Sequence, residues 1–149
     1  MTNASDSITD PAFGLTSEQA ERRLRALGIR PTAQRIKIAM VVLETPQHVS
    51  AEVVLARVNK VDPVVSKATV YNTLGLFSQS GLVRELMVDR AKAFYDSNVS
   101  DHFHLYDVDS GELTDIADGQ VQVQGLSRLP EGLRLEGLDV IVRVRRARR

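Results

Sequence analysis

The 149-residue chain contains no cysteine. That absence excludes disulfide bonds, thiol-based catalysis and thiolate metal sites, including structural zinc held by cysteines. Long apolar runs are also lacking, and no stretch approaches the length of a membrane span. The first residues, TNASDSITDP after Met1, lack the basic and apolar regions of a secretory signal. We therefore expect a cytoplasmic protein with no membrane partner.

Net charge is zero, but the charges are segregated along the chain. Residues 16–95 carry 12 Lys and Arg against 7 Asp and Glu, whereas residues 96–142 carry 2 against 10. Five arginines follow in residues 143–149. Either a polyanion binds the first half and a cation the second, or both charge blocks are merely solvated faces.

Four helices are predicted in the first half from capping residues and apolar spacing. Residues 1–14 lack such periodicity and are expected to form a flexible tail. Pro63 interrupts the chain before the fourth helix. The predicted helices run from Thr16 to Leu27, from about Thr32 to before Pro46, from Ala51 to about Asn59, and from Lys67 to about Ser80. Their expected buried residues are Ala20, Leu24, Leu27, Ile36, Met40, Leu43, Val54, Leu55, Val58, Val70, Leu74 and Phe77.

Two short strand-like runs, Leu82–Leu86 and Lys92–Tyr95, follow the helices and flank a turn. Helices followed by a β-hairpin are typical of a winged helix, in which one helix enters the DNA major groove and the hairpin lies near phosphates. The alternative is a small helical domain with an unrelated hairpin. The exposed face of the fourth helix favours DNA binding, because it carries small and hydrogen-bonding residues rather than Lys and Glu: Ala68, Asn72, Gly75 and Gln79, with Thr69 and Tyr71 at its flanks.

The stretch FYDSNVSDHFH contains two of the three histidines of the chain. In a strand, His102 and His104 would point to the same face and present their imidazoles side by side. Imidazoles with nearby carboxylates suit zinc, manganese or ferrous iron. The alternative is a partly exposed strand that carries two polar residues.

The last third of the chain predicts a small β-rich domain. A hairpin is indicated by His104–Asp107 and Glu112–Ile116, and Leu138–Arg145 predicts a strand with at least one buried face. For residues 117–132 the pattern fits either a strand at Val121–Gln124 or a short helix. So small a sheet would be covered by pairing with a second copy. The predicted fold is therefore α+β: an N-terminal winged helix-turn-helix over residues 15–96 and a small C-terminal α/β dimerisation domain over residues 97–149.

Several motifs resemble those of the ferric uptake regulator family over residues 15–149. They are Leu27–Arg35, His48–Glu52, Ala68–Leu74 and His102–His104. Within the family, Asn72, Tyr95–Val99 and the Leu138–Arg149 end most resemble the iron response regulator branch. The resemblance implies a homodimeric transcriptional regulator that binds DNA according to iron status.

The resemblance also implies an interdomain metal-sensing site, carried over residue by residue. One divalent ion per chain, Fe²⁺ or Mn²⁺ with Zn²⁺ able to replace it, would bind there, and haem held through His102 or His104 is the alternative ligand. The second metal site of the family looks lost, because Asp101, Phe103 and Leu138 stand near its usual positions. The implied ligands are His48, Asp96, His102, His104 and Asp115.

On the DNA side, Tyr71 is positioned to meet thymine methyl groups and Asn72 to read adenine. Basic residues are candidates for phosphate contacts, which set affinity rather than sequence choice. The expected partner is double-stranded DNA with an A/T-rich inverted-repeat operator. The candidate DNA-binding residues are Arg30, Arg35, Lys67, Thr69, Tyr71 and Asn72.

The leading hypothesis is an iron-responsive regulator rather than an enzyme. Peroxide or manganese sensing within the same family is an alternative. A small metal-dependent hydrolase is another, but the chain lacks a His-Glu-x-x-His motif and a plausible general base. A DNA-binding protein that ignores metal is the remaining hypothesis.

Overall fold

The structure, a computed structural model, describes residues 10–60, 65–125 and 128–148. Most of the predicted tail, the predicted break at Pro63, and Arg149 lie outside the described residues. Contacts divide the chain into two compact units. The first consists of the described parts of Met1–Glu85 with Ala93–Val99, and the second of those of Leu86–Lys92 with Ser100–Arg149. The predicted domain limits at residues 15–96 and 97–149 stay a prediction.

Helices of the first unit begin where the sequence predicts. Each follows a hydroxyl side chain that accepts a hydrogen bond from the backbone N–H three residues later, as an N-cap does. Thr16 and Gln19 form the complete capping box. Gly28 follows the first helix at a φ of 74°, a conformation that costs glycine little. The helices are α1 (Ser17–Ala26), α2 (Ala33–Val42), α3 (Ala51–Val58) and α4 (Lys67–Gln79).

The core of the first unit draws apolar side chains from all four of these helices. The predicted core faces of α1, α3 and α4 are confirmed, except that Leu27 is exposed and Leu55 is only partly buried. The face predicted for α2 was wrong in part. Ile36 and Met40 are only partly buried, and the buried positions of that region are Ile38, Ala39, Val42 and Leu43. Because α2 is apolar on most sides and packs against α1, α3 and α4, spacing alone did not define its buried face.

A three-stranded sheet accompanies the helices. Its strands are β1 (His48–Val49), β2 (Arg84–Met87) and β3 (Ala93–Asp96), in the order β1-β3-β2. The hairpin of β2 and β3 confirms the predicted wing. The antiparallel pairing of β1 with β3 was not predicted, because β1 has only two residues. Helices α3 and α4 followed by this hairpin form a winged helix-turn-helix.

The second unit contains a sheet ordered β5-β4-β6, built from β4 (His104–Asp107), β5 (Leu113–Asp115) and β6 (Ile141–Val144). The predicted hairpin of β4 and β5 is confirmed, with Gly111 at a φ of 74° in its turn. Strand β6 pairs parallel with β4 but is shorter than predicted. None of its four residues is buried, so the expected buried face was wrong for this chain by itself.

Residues 117–125 and 128–132 form neither the strand nor the helix that the sequence left open. The α+β class, with an N-terminal winged helix and a small C-terminal domain, is confirmed. None of the helices in the described ranges combines the length and the apolar character needed to cross a bilayer.

Neighbouring valines of α3 test how the core stabilises the first unit. Val54 is fully buried, whereas Val53 is 40% exposed. We expect Val54→Ala to lower the free energy of unfolding by about 1.5–3 kcal/mol, because it removes buried methyl groups and leaves a cavity. Val53→Ala should change it by less than about 0.5 kcal/mol. Urea unfolding followed by circular dichroism measures both, and equal losses would contradict the assigned core face.

Candidate functional site

Two of the predicted metal ligands, His48 and Asp96, face each other in the first unit. They are directly opposite in the antiparallel pairing of β1 with β3. The Nε2 atom of His48 lies 3.1 Å from Oδ2 of Asp96, and the Asp96 side chain is only 2% exposed. Strand register therefore brings together an imidazole and a carboxylate that are 48 positions apart in sequence.

Hydrogen bonds of the preceding and following residues fix this register. The Gln47 N–H donates to the Ser97 hydroxyl (2.9 Å), and the Ser97 N–H donates to the Gln47 carbonyl oxygen (3.1 Å). The Gln47 side-chain amide donates to the carbonyl oxygens of Val41 and Val42, at 2.9 and 3.0 Å. Its Oε1 accepts a 2.8 Å hydrogen bond from Arg57 of α3. The His48–Asp96 pair is thus anchored to the ends of α2 and α3.

The other three predicted ligands, His102, His104 and Asp115, lie together in the second unit. Each offers a ligand atom within 4.8 Å of those of the other two. Oδ1 of Asp115 is 3.3 Å from Nε2 of His102 and 3.5 Å from Nε2 of His104. Only His104 belongs to a strand, so the side-by-side geometry of two residues in one strand does not apply here. Their rings are nevertheless adjacent, with centroids 4.4 Å apart.

A backbone carbonyl orients the His102 ring. Its Nδ1 atom lies 2.6 Å from the Ser100 carbonyl oxygen, which can only accept a hydrogen bond. In the neutral ring the proton is therefore on Nδ1, and the lone pair is on Nε2, the atom closest to Asp115. This is the arrangement of a metal-binding histidine whose second nitrogen is held by an outer partner.

Distances within each group fit a first-row divalent ion. Ligand atoms that lie about 2.1 Å from one ion are about 3.0 Å apart at octahedral and about 3.4 Å apart at tetrahedral angles. The separations of 3.1 Å in the first unit and 3.3 and 3.5 Å in the second fall near these values. Nitrogen and carboxylate donors without sulfur suit Mn²⁺, Fe²⁺ or Zn²⁺. The residues present therefore fit the ion that the sequence predicts.

Candidate DNA-binding residues of α4 share an open surface hollow of about 630 Å³. It is lined by Lys67, Ala68, Tyr71 and Asn72. The Tyr71 hydroxyl donates a 2.5 Å hydrogen bond to Oε1 of Glu52 on α3, and the Lys67 ammonium lies 5.7 Å from the Tyr71 ring centroid. The hydrogen bond from Tyr71 lowers the pKa of Glu52, and the same bond raises the pKa of Tyr71.

The remaining candidates take part in local structure. Thr69 accepts a hydrogen bond from the Ser66 hydroxyl at the start of α4. Arg30 is exposed in the segment between α1 and α2, and its carbonyl oxygen accepts a 2.9 Å hydrogen bond from Arg35. None of these contacts joins Arg30 of that segment or Arg35 of α2 to the α4 hollow. Their role in binding phosphate stays a prediction.

Sequence reasoning missed three residues around these groups: Gln47, Ser97 and Glu52. Gln47 and Ser97 flank the two predicted ligands of the first unit, so their positions beside His48 and Asp96 were a usable signal. Glu52 lies four residues after His48, but nothing in its spacing pointed to Tyr71, 19 positions away.

A winged helix with imidazole–carboxylate groups defines a DNA-binding protein that also binds metal. The model of the ferric uptake regulator family matches residues 26–142, and the chain belongs to this family. Its members are transcription regulators rather than enzymes.

Similar proteins are named after different signals, peroxide in some and iron in others. The chain is 34% identical over 98 residues to the peroxide operon regulator of Bacillus subtilis and 31% identical to the peroxide-responsive repressor PerR of Staphylococcus aureus. These matches cover 66% of this chain and 68% and 66% of those proteins, about two thirds of their length. The ferric uptake regulator of Pseudomonas aeruginosa, solved with manganese, is similar with a TM-score of 0.67 and 27% identity, over 87% of this chain and 98% of that one.

Gln47 provides a test of how the first ligand pair is anchored. We expect Gln47→Ala to lower the free energy of unfolding by about 1–3 kcal/mol, because partly buried carbonyls and Arg57 lose their hydrogen bonds. Gln79→Ala, at the exposed end of α4, is the matched control and should be nearly neutral. Chemical unfolding in the presence of a chelator compares the two, and equal effects would contradict the anchoring role.

The Glu52–Tyr71 bond predicts a pH dependence. A lowered carboxyl pKa stabilises the fold above the ordinary value of 4.5 and loses that effect as the pH falls. A raised phenol pKa stabilises it below 10.0 and loses that effect as the pH rises. The difference in unfolding free energy between wild type and Tyr71→Phe should therefore be greatest near neutral pH and shrink on both sides. Unfolding curves across pH measure it, and a constant difference would contradict the prediction.

Proposed function

We propose that this protein is a homodimeric transcriptional regulator whose affinity for operator DNA is controlled by a divalent metal ion. The ion is Fe²⁺ or Mn²⁺ in the proposal, and Zn²⁺ is expected to occupy the same ligands in vitro. The observation that carries the proposal is the pair of imidazole–carboxylate groups, each with ligand separations that fit such an ion. The proposed ligands are His48, Asp96, His102, His104 and Asp115.

Neither group completes a coordination shell by itself. The first offers two donors and the second three, while these ions take four to six ligands. We infer that both groups supply ligands to the same ion, which makes five protein donors. The ion would supply a fixed positive charge that holds the anionic and imidazole ligands together.

Because His48 and Asp96 belong to the winged-helix unit, a shared ion would favour one arrangement of that unit over others. The ion can shift this equilibrium only by its difference in affinity for the arrangements, and about 1.4 kcal/mol corresponds to tenfold. The hydrogen bonds of the Gln47 side chain with Val41, Val42 and Arg57 would transmit the restraint to α2 and α3.

Helix α4 is the proposed DNA-reading element. Lys67, Tyr71 and Asn72 are on its outer surface, where they line one hollow. Asn72 would read adenine and Tyr71 would contact thymine methyl groups, which favours an A/T-rich site. A twofold dimer would require an inverted repeat. Arg30, Arg35 and Thr69 complete the proposed contacts, with the arginines at phosphates.

Relatives favour a second candidate function, peroxide sensing. The B. subtilis and S. aureus relatives are named as peroxide regulators, while the P. aeruginosa regulator was solved with manganese. Assignment to the iron response branch rests only on the motifs at Ala68–Leu74, Tyr95–Val99 and Leu138–Arg149. Iron sensing and peroxide sensing would use the same ligands, so the two candidates differ in how the metal-bound protein responds to peroxide.

Haem is not supported as the ligand. The cavity beside His102, bounded by Phe103, Ile116 and Val121 among others, has a volume of about 160 Å³. Pockets for cofactors and drug-sized ligands are usually about 300–1,000 Å³. Both histidine rings also approach the same Asp115 carboxylate, which suits a small ion better than a macrocycle.

Metal titration of DNA binding tests the proposal. A DNA duplex is first selected from a random library with the Mn²⁺-loaded protein, and its affinity for the chelator-stripped protein is then measured as Mn²⁺ is added. We expect an increase of about 5- to 150-fold, the usual range of allosteric coupling. His102→Ala and Asp115→Asn should remove most of this increase.

Asp118→Asn is the matched control for Asp115→Asn, because Asp118 is an exposed acid in the same segment. It should keep the full response to Mn²⁺. Equal DNA affinity with and without metal would contradict the proposal. With Fe²⁺ in place of Mn²⁺, release of DNA by hydrogen peroxide together with a gain of one oxygen atom on a histidine would favour the peroxide candidate.

A further inference from the structure

A carboxylate stands on the surface of the winged helix that carries the recognition residues. Glu52 is exposed in the first turn of α3 and accepts the 2.5 Å hydrogen bond from the Tyr71 hydroxyl. Tyr71 itself is 38% exposed and belongs to α4. An anionic side chain is therefore tied to an aromatic residue of the proposed DNA-reading helix.

On a surface that binds DNA, such a carboxylate is unfavourable for affinity. DNA phosphates repel a negative charge, and affinity for any sequence grows with the number of phosphates that cations neutralise. Glu52 and Lys67 both contact Tyr71, so the glutamate partly offsets the positive charge that Lys67 offers. A role of Glu52 in sequence discrimination would compensate for this loss of DNA affinity.

The contacts of the Tyr71 ring indicate how Glu52 could contribute to sequence discrimination. The hydroxyl is held at one end by Glu52, and the Lys67 ammonium lies over the ring face, 5.7 Å from its centroid. An exposed tyrosine without these contacts would sample several rotamers and would lose that freedom on binding DNA. Fixing the ring beforehand lowers this cost, which is the usual benefit of preorganisation.

We propose that Glu52 is a positioning residue for DNA sequence recognition, which holds the Tyr71 ring in its base-reading orientation at the expense of affinity for DNA in general. This inference rests on the proposed function, because it requires that α4 contacts DNA. It differs from direct reading by Glu52, in which the carboxylate would accept a hydrogen bond from a cytosine amino group. It also differs from a role in which the negative charge of Glu52 only repels DNA phosphates and does not position Tyr71.

Four variants separate these roles: Glu52→Ala, Glu52→Gln, Tyr71→Phe and the double variant Glu52→Ala with Tyr71→Phe. Glutamine keeps an oxygen that accepts the Tyr71 hydroxyl but removes the charge. Glu18→Ala, which removes an exposed acid from the first turn of α1, is the matched control. Each Mn²⁺-loaded protein is titrated with the duplex selected by wild type and with a scrambled duplex of the same composition, and the ratio of the two affinities is the readout.

We expect Glu52→Ala to lower this ratio by about three- to tenfold, the range that corresponds to one hydrogen bond. Its affinity for the scrambled duplex should not fall. Tyr71→Phe should lower the ratio similarly, and the double variant no further, because both single changes break one contact. Glu52→Gln should keep most of the ratio, and Glu18→Ala all of it.

Other results overturn the inference. An unchanged ratio in Glu52→Ala would show that Tyr71 needs no positioning, and additive losses in the double variant would show that the residues act separately. Equal behaviour of Glu52→Gln and Glu52→Ala, with both binding all DNA more tightly, would indicate charge alone. If wild type selects no duplex, the proposed function fails instead, and this outcome is distinguishable because it does not involve the variants. Circular dichroism of each variant checks that it is folded.

Discussion

Pairing of β1 with β3 is the constraint on which the first unit depends. Two residues of β1 suffice to place His48 opposite Asp96 and to bury Val49 beside Tyr95. A two-residue strand would be weak by itself, since it closes a long loop for few backbone hydrogen bonds. The Gln47 and Ser97 bonds extend the pairing beyond the strand and connect it to helix ends. The same hydrogen bonds therefore hold the His48–Asp96 pair, the buried residue Val49 and strand β3 of the wing in place.

The segment from His48 to Glu52 combines several roles in five residues. His48 contributes a nitrogen of the proposed metal site, Val49 enters the core, and Ser50 caps α3. Ala51 is buried, and Glu52 holds the tyrosine of α4. Little freedom remains in such a segment, because each residue is fixed by a different contact. A restraint applied at His48 is thus separated by only four residues from Glu52, which contacts Tyr71 on the proposed DNA-binding surface.

Local features explain what the sequence predicted. Helix caps depend on residues three positions apart, and the two hairpins on connections of five residues, so both were visible along the chain. The Gln47–Ser97 and Glu52–Tyr71 contacts join positions 50 and 19 apart, and no local pattern encodes them. The His102-Phe103-His104 pattern was visible along the chain, whereas the full set of proposed ligands came from the family resemblance. The α2 face was misjudged because its apolar residues are spread around most of the helix, which packs against three others, and the burial of β6 because one chain does not cover that face.

Burial differs sharply among the proposed ligands of the second unit, and the difference bears on the proposed metal sensing. His104 is 1% exposed and the His102 ring is oriented by Ser100, so neither imidazole needs ordering before it binds an ion. The Asp115 side chain, 51% exposed, is the shared partner of both. A solvated carboxylate gives up hydration and rotamer freedom when it ligates, which weakens a site that is otherwise preorganised. The proposed regulator must release its ion when supply falls, so the rigid histidines would set which ions fit while the exposed aspartate would keep binding reversible.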